Sequence, residues 1–227
     1  LKTIVHIGQH RTGTTSLQYF LRDNKKRLLK KGLYVPSKVA GHTHKSHYVL
    51  NLYALADNRY SPKKDEIIAA RGHAYLNKLK IDIRTGIEKV YRQALARKCT
   101  TVLWSNEGLY LLNSVSEYES LKGLFSQYSD QVQVVCCFRD VESFKNSYAQ
   151  HLTLQGITFS EQLDSYRYVE SDSWLFDYER KRALLSIVFD HCVYFQYDSG
   201  DNLKVFMQSI GYGDIDCDGY RLNTSTN

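Results

Sequence analysis

Thr3-Ile4-Val5-His6-Ile7-Gly8-Gln9-His10-Arg11-Thr12-Gly13-Thr14-Thr15-Ser16-Leu17 joins a short apolar run to a turn of glycines and hydroxyls, and that turn to the start of an amphipathic stretch. The run reads as a buried strand. Gly8 and Gly13 bracket four residues, the spacing of a phosphate-binding loop. In such a loop successive backbone N–H groups turn inward at the positive end of a helix dipole. Glycine allows the backbone angles and close approach that a side chain would block. Thr14, Thr15 and Ser16 add hydroxyl donors, and the strand-loop-helix setting is the one the motif requires. Candidate anion ligands are therefore Gln9, His10, Arg11, Thr12, Gly13, Thr14, Thr15 and Ser16.

The loop differs from that of an ATPase. Thr14 stands where a lysine would follow the second glycine, and the positive charge comes earlier, at Arg11. The next apolar strand ends in Ser105-Asn106-Glu107, without a clear Asp to hold Mg²⁺. A nucleoside triphosphatase or P-loop kinase needs both parts. The loop is suited instead to a shorter anionic chain bound without a metal.

Outward from the loop, a helix is expected over residues 15–31, with Gly32 as its C-terminal cap. A polar, His-rich loop follows over 37–47, then two or three helices over 48–97. Strands are expected at 100–105, 132–138 and 192–197. Helices are expected within 109–127 and at 141–155, 159–166, 174–189 and 203–210. Apolar strands alternating with helices imply an α/β fold of the P-loop NTPase-like, three-layer kind, with a central, mostly parallel sheet flanked by helices. One domain over 1–227 is expected, with residues 37–98 as a helical acceptor-binding insertion.

The 227 residues are 43% hydrophobic with only two prolines, a globular composition. No apolar run reaches the roughly 20 residues that span a bilayer, so stable membrane insertion is not expected. A net charge of +6 favours anionic ligands. The basic residues are scattered, apart from Lys25, Lys26, Arg27, Lys30 and Lys31, which read as a solvated helix face. Nucleic acid is not expected as a partner. The five cysteines show no C-x-x-C pair, and their odd number points to reduced thiols and a cytoplasmic setting.

The run His6-Ile7-Gly8-Gln9-His10-Arg11-Thr12-Gly13-Thr14-Thr15-Ser16-Leu17-Gln18 resembles the 5′-phosphosulfate loop of the sulfotransferase family, which commonly has Pro-Lys-x-Gly-Thr-Thr here. His10 takes the place of the Pro and Arg11 that of the Lys. Lys31-Gly32-Leu33-Tyr34-Val35-Pro36 is similar to a stretch of bacterial and Golgi carbohydrate sulfotransferases. Further on, Arg139 ends a strand and Ser147 follows eight residues later. In the family an Arg and a Ser so placed grip the 3′-phosphate of 3′-phosphoadenosine 5′-phosphosulfate (PAPS). A guanidinium fork suits a phosphate. The resemblance implies PAPS as sulfuryl donor, PAP as product, no metal, and a carbohydrate or other hydroxyl-bearing acceptor. A phenol or tyrosine acceptor, a P-loop kinase and a non-catalytic nucleotide-binding module are the rival readings.

For the chemistry, Arg11 is expected to stabilise charge, since a guanidinium does not donate its proton. Glu107, just past a strand end, is a candidate general base or a helix N-cap. His42, His44 and His47 form a second set, His47 as a base or acceptor-binding residue. Their spacing alone does not make a metal site, for no Cys, Asp or Glu lies close by in sequence.

Overall fold

In the computed structural model, residues 1–43, 46–197 and 201–220 are described. Five parallel strands make one sheet: β1 (Lys2–His6), β2 (Leu33–Tyr34), β5 (Thr101–Ser105), β6 (Gln131–Phe138) and β7 (His191–Gln196). Their order is β2-β5-β1-β6-β7. Register is set by pairs such as Val5 with Trp104 on one side and with Val134 on the other. The chain runs from β1 to one flank, through β2 and β5, and then crosses to β6 and β7. That reversal places a switch point at the carboxyl ends of β1 and β6, where open parallel sheets bind ligands.

The period-2 pattern of the strands separates two cores. Ile4, Leu103 and Val135 face α1 (Thr14–Asp23), α2 (Lys25–Lys30) and α8 (Asn202–Ser209), packing against Phe20, Leu28 and Phe206. Val5, Trp104 and Val134 face the other way. There they meet α4 (Pro62–Ala96) through Ile83, Ile87 and Tyr91, with α5 (Val115–Gly123) and α7 (Tyr178–Val188) alongside. The result is the three-layer α/β arrangement expected from the sequence. Among the described residues no helix is long and apolar enough to cross a membrane.

Several elements depart from expectation. The helix foreseen over 15–31 breaks at Asn24, whose main-chain N–H and Nδ2 both donate to Phe20 O. The segment 159–166 forms turns, not a helix. Phe159 and Leu163 stay exposed, so an apolar face there had nothing to pack against. The helix foreseen from residue 174 begins at Tyr178, because Asp177 Oδ1 accepts from Arg180 N–H and caps it there. Leu33 and Tyr34 add an edge strand too short to show alternation. A hairpin of β3 (Lys38–Val39) and β4 (His42–Thr43) occupies the expected polar loop. Between residues 48 and 97 lie α3 (Val49–Ala54) and the 35-residue α4, kinked at Gly72, where φ is 76°. The later part of α4 packs on the sheet through Ile83, Ile87 and Tyr91, and Val39 of the hairpin and Ile67 of the first turns of α4 belong to the same buried cluster.

Candidate active site

The loop after β1 has the conformation its glycines foretell. Gly13 takes φ 74° and starts α1 with no side-chain cap and no acidic residue in the first turn. Arg11, a non-glycine, also takes positive φ, 66°. Gly8 is needed for space: a Cβ there would lie 2.7 Å from the Thr14 methyl and 2.9 Å from the His6 ring. The main-chain N–H groups of residues 10–15 donate to no main-chain carbonyl among the described residues. Six successive unspent donors at a helix start form an anion cradle.

Two side chains foreseen as ligands hold this cradle in shape instead. Gln9 is fully buried; its Nε2 donates to Tyr110 Oη at 3.0 Å, and its Oε1 accepts from Arg139 N–H at 2.7 Å. It clasps the loop to the end of β6. Thr12 Oγ1 donates to Gln9 O at 2.7 Å and closes the turn. His10 stacks on Tyr148 and His151, with ring centroids 5.6 Å apart in each case. Its Nε2 is buried with no hydrogen-bond partner among the described residues. Burial holds the His10 pKa down at about 4 against the attraction of Glu107, with the neighbouring His151 adding to the depression. The cationic form is thus excluded at neutral pH. Thr14 is buried against Gly8, and Thr15 and Ser16 continue the first turn of α1.

The downstream pair arrives at the same place. Arg139 ends β6 beside β1, and its Nη1 donates to Arg11 O at 3.2 Å. Ser147 sits on α6 (Val141–Leu154), and Arg11 Nε donates to its Oγ at 3.1 Å. Arg11, Arg139 and Ser147 therefore form one group, although 128 residues separate the two arginines. Tyr178 Oη donates to Arg139 O and fixes its main chain. The Arg139 guanidinium lies 5.4 Å from the Tyr197 ring centre.

Glu107 opens a 3₁₀ turn (Glu107–Leu111) past the carboxyl end of β5, and Asn106, not Glu107, is its N-cap. Gln18 Nε2, on α1, donates to Glu107 Oε2 at 2.6 Å. His47 is 5% exposed, and both its ring nitrogens are engaged by main chain. Nδ1 accepts from Ser105 N–H at 2.9 Å, so Nε2 carries the proton and donates to Pro36 O at 2.9 Å. This His braces the end of β5, and neither nitrogen is left to take a proton from a substrate. His42 Nδ1 lies 2.6 Å from Tyr48 Oη, on the hairpin. His44 lies outside the described residues.

Sequence reasoning passed over Tyr110, Tyr178, Tyr197 and His151. Tyr197 carried a usable signal, for it ends an apolar strand at the edge where parallel sheets bind ligands. The others carried none, since two of eighteen tyrosines and one of eight histidines cannot be told apart by spacing. Burial also lowers the His151 pKa, as does the nearby Arg11, while Glu107 pulls it up.

No family model matches the sequence, and no curated protein matches it. Among solved structures, the chain is similar to a sulfotransferase from Alicyclobacillus acidocaldarius, at 12% identity and a TM-score of 0.48, covering 98% of this chain and 86% of that one. It is also similar to the sulfotransferase domain from the curacin biosynthetic pathway, at 13% identity and a TM-score of 0.48, covering 97% of this chain and 75% of that one. What the site can do follows from its own geometry.

Proposed function

We propose that this chain is a PAPS-dependent sulfotransferase that moves a sulfuryl group to a hydroxyl of a carbohydrate or glycoconjugate. One observation carries the reading: unspent loop amides, the Arg11 and Arg139 guanidiniums and the Ser147 hydroxyl gather at one switch point. Donors of that kind fit a nucleotide with an anionic group at each end. The loop lacks the lysine that a triphosphate would need, since Thr14 follows Gly13. Five unpaired cysteines fit a reducing, cytoplasmic setting.

When bound, PAPS supplies a sulfuryl group on its 5′-phosphate and a 3′-phosphate as a handle. The amides of residues 10–15 and Arg11 hold the 5′ end and stabilise charge that builds on the leaving oxygen. Arg139, with Ser147, holds the 3′-phosphate by paired, charge-assisted hydrogen bonds. Glu107, steadied by Gln18, takes the acceptor hydroxyl proton as that oxygen attacks sulfur. His47 serves this chemistry by position, bracing the strand that ends beside Glu107.

Titration calorimetry with PAP and with ATP, each with and without Mg²⁺, tests the reading. PAP is expected to bind without the metal and ATP far more weakly. ATP binding that requires Mg²⁺, with PAP inert, would point to a kinase.

A further inference from the structure

A lysine is rarely buried in full unless its charge is paired. Lys181, on α7, is 1% exposed and makes no ion pair among the described residues; the nearby Glu117 is taken by Arg59 at 2.6 Å. Lys181 Nζ donates to Tyr110 O at 3.0 Å, to Leu112 O at 2.6 Å and to Tyr118 Oη at 3.2 Å. Tyr118 Oη spends its own proton on Leu112 O, so all three partners accept. Three acceptors call for three N–H donors, which only the ammonium form has. The rings of Tyr110, Trp174 and Tyr118 surround the charge, their centres 4.8, 5.2 and 5.6 Å from Nζ.

What this buried cation holds is tied to the candidate active site. Tyr110 belongs to the 3₁₀ turn that Glu107 opens, and Leu112 is its C-cap. The Tyr110 hydroxyl accepts from Gln9 Nε2 at 3.0 Å, and Gln9 Oε1 accepts from Arg139 N–H at 2.7 Å. Arg139 O in turn accepts from Tyr178 Oη at 2.7 Å. Tyr178 and Lys181 stand three residues apart on α7, on one face of one helix. The path therefore closes on itself: Lys181, Tyr110, Gln9, Arg139, Tyr178 and back through α7. It joins the loop after β1, the turn past β5, the end of β6 and the first turns of α7. Tyr110 Oη also donates to Leu175 O at 2.9 Å, which pins the chain ahead of α7 to the same ring.

Buried hydrogen-bonded networks are worth more than the sum of their pairs, so opening the ring at one point loosens the rest. The groups that face Lys181 are Cys136 on β6, Glu117 on α5, Arg59 ahead of α4, the Tyr110 and Tyr118 rings and, on its own helix, Arg180. Burial lowers the Lys181 pKa to about 7; Cys136 and Glu117 pull it back up, and Arg59 and Arg180 push it further down. On losing its proton the amine keeps two donors, so one of the three acceptors loses its bond. Between pH ~7 and ~10.5 the unfolded lysine holds a proton that the folded one has released. For this group global stability therefore rises with pH across that window. A loss of ligand affinity over the same range would be a local slackening of the ring, not unfolding.

We propose that Lys181 is a positioning residue for the nucleotide: its ammonium holds a closed hydrogen-bonded ring that sets Arg139 against the loop after β1 and ties the Glu107 turn to both. The inference rests on the sulfotransferase reading above. Lys181 touches neither the nucleotide nor the reacting atoms. It acts through Tyr110 and Gln9 on the Arg139 N–H, while Tyr178 holds the Arg139 carbonyl from the same helix. Arg139 is assigned to the 3′-phosphate, so a slackened ring is felt at that end of the nucleotide.

Calorimetry of the full chain with PAP and with adenosine 5′-monophosphate, which lacks the 3′-phosphate, tests the ring. Tyr110→Phe and Tyr178→Phe each open it by one hydroxyl and should weaken PAP by about three- to tenfold, with the monophosphate moving less than about twofold. The double variant should be no more than about twofold weaker than the worse single, because one cut already opens the ring. In the parent, PAP affinity should fall about threefold or more between pH ~6.5 and ~8.5 relative to the monophosphate, which corrects for ionisation of the 5′-phosphate. Lys181→Met should weaken PAP and abolish that fall; should this variant fail to fold, the two tyrosine variants decide the matter alone. Losses that multiply in the double variant, equal losses for the monophosphate, or a fall with pH that persists in Lys181→Met overturns the proposal. PAP binding that ignores both tyrosine changes removes only the ring, whereas a parent that binds no PAP removes the sulfotransferase reading beneath it.

Discussion

Around the loop after β1, side chains are locked: Gln9 bonds at both ends, Thr12 closes the turn, and Tyr178 holds the main chain of Arg139. By contrast, Lys38 on the β3–β4 hairpin and Arg71 and Lys78 on α4 stand exposed. The first region is built to hold one fixed set of anionic groups with little reorganisation, the condition for electrostatic stabilisation of a transition state. The second shows no such locked network, so substitutions there should cost far less than substitutions around the loop.

The largest effect that would break this contrast belongs to Arg11. Arg11→Ala should cut turnover by about 10²–10³-fold while the PAP dissociation constant moves only a few-fold, as single-turnover kinetics and calorimetry would show. Equal losses in both would make Arg11 a binding group only.

Next comes pH. Burial holds His6, 3% exposed, at a pKa of about 4, against a partial pull upward from Glu107. Between pH ~6.5 and ~4 the unfolded chain takes up a proton that the folded His6 refuses, so stability falls as pH falls through that window. The loss should approach roughly 3 kcal/mol for this group. Urea melts at pH 7 and pH 4.5 should show it, and His6→Gln should remove much of the slope. A slope unchanged in the variant would place the titration elsewhere.

Gln9→Leu sharpens the rigid side further. It strands the Arg139 N–H, at a cost of about 2 kcal/mol, and takes one of two bonds from the Tyr110 hydroxyl, which still donates to Leu175 O. PAP affinity should drop with it, because the clasp sets Arg139 against the loop. A variant as stable as the parent would show that the clasp is ornamental.

Glu107→Gln should lower kcat by roughly 10²-fold with PAP affinity kept. His47→Gln should lower stability and leave the turnover of the folded enzyme near the parent's, since both nitrogens of His47 are spent on main chain. At the bottom of the scale, Leu154 is 78% exposed, and Leu154→Ser should change stability by no more than about 0.5 kcal/mol.

What the sequence made legible follows the same division. The loop and its strand could be read because phosphate chemistry fixes both residue types and spacing within ten positions. Arg139 and Ser147 could be paired with the loop only through the family resemblance; the pairing of β6 with β1 came from the structure. The parallel sheet followed from alternation that buries both faces. By contrast, the braces on Gln9, His47 and Arg139 depend on partners dozens of residues away, and nothing local announces them. The break at Asn24 and the late start of α7 at Tyr178 turned on single hydrogen bonds inside patterns that looked continuous. The failed helix over 159–166 had a helical pattern and no surface to bury it against.

The claim beneath all of this is that a single nucleotide spans the loop amides and the Arg139–Ser147 pair. Calorimetry of the parent, Arg139→Ala and Ser147→Ala with PAP and with adenosine 5′-monophosphate, which lacks the 3′-phosphate, tests it most directly. The account predicts a loss of PAP affinity of at least about tenfold in Arg139→Ala and a smaller loss in Ser147→Ala, with the monophosphate unaffected by either change. If the monophosphate weakens as much as PAP, or PAP ignores both changes, the two halves of the site do not share one ligand and the account is wrong.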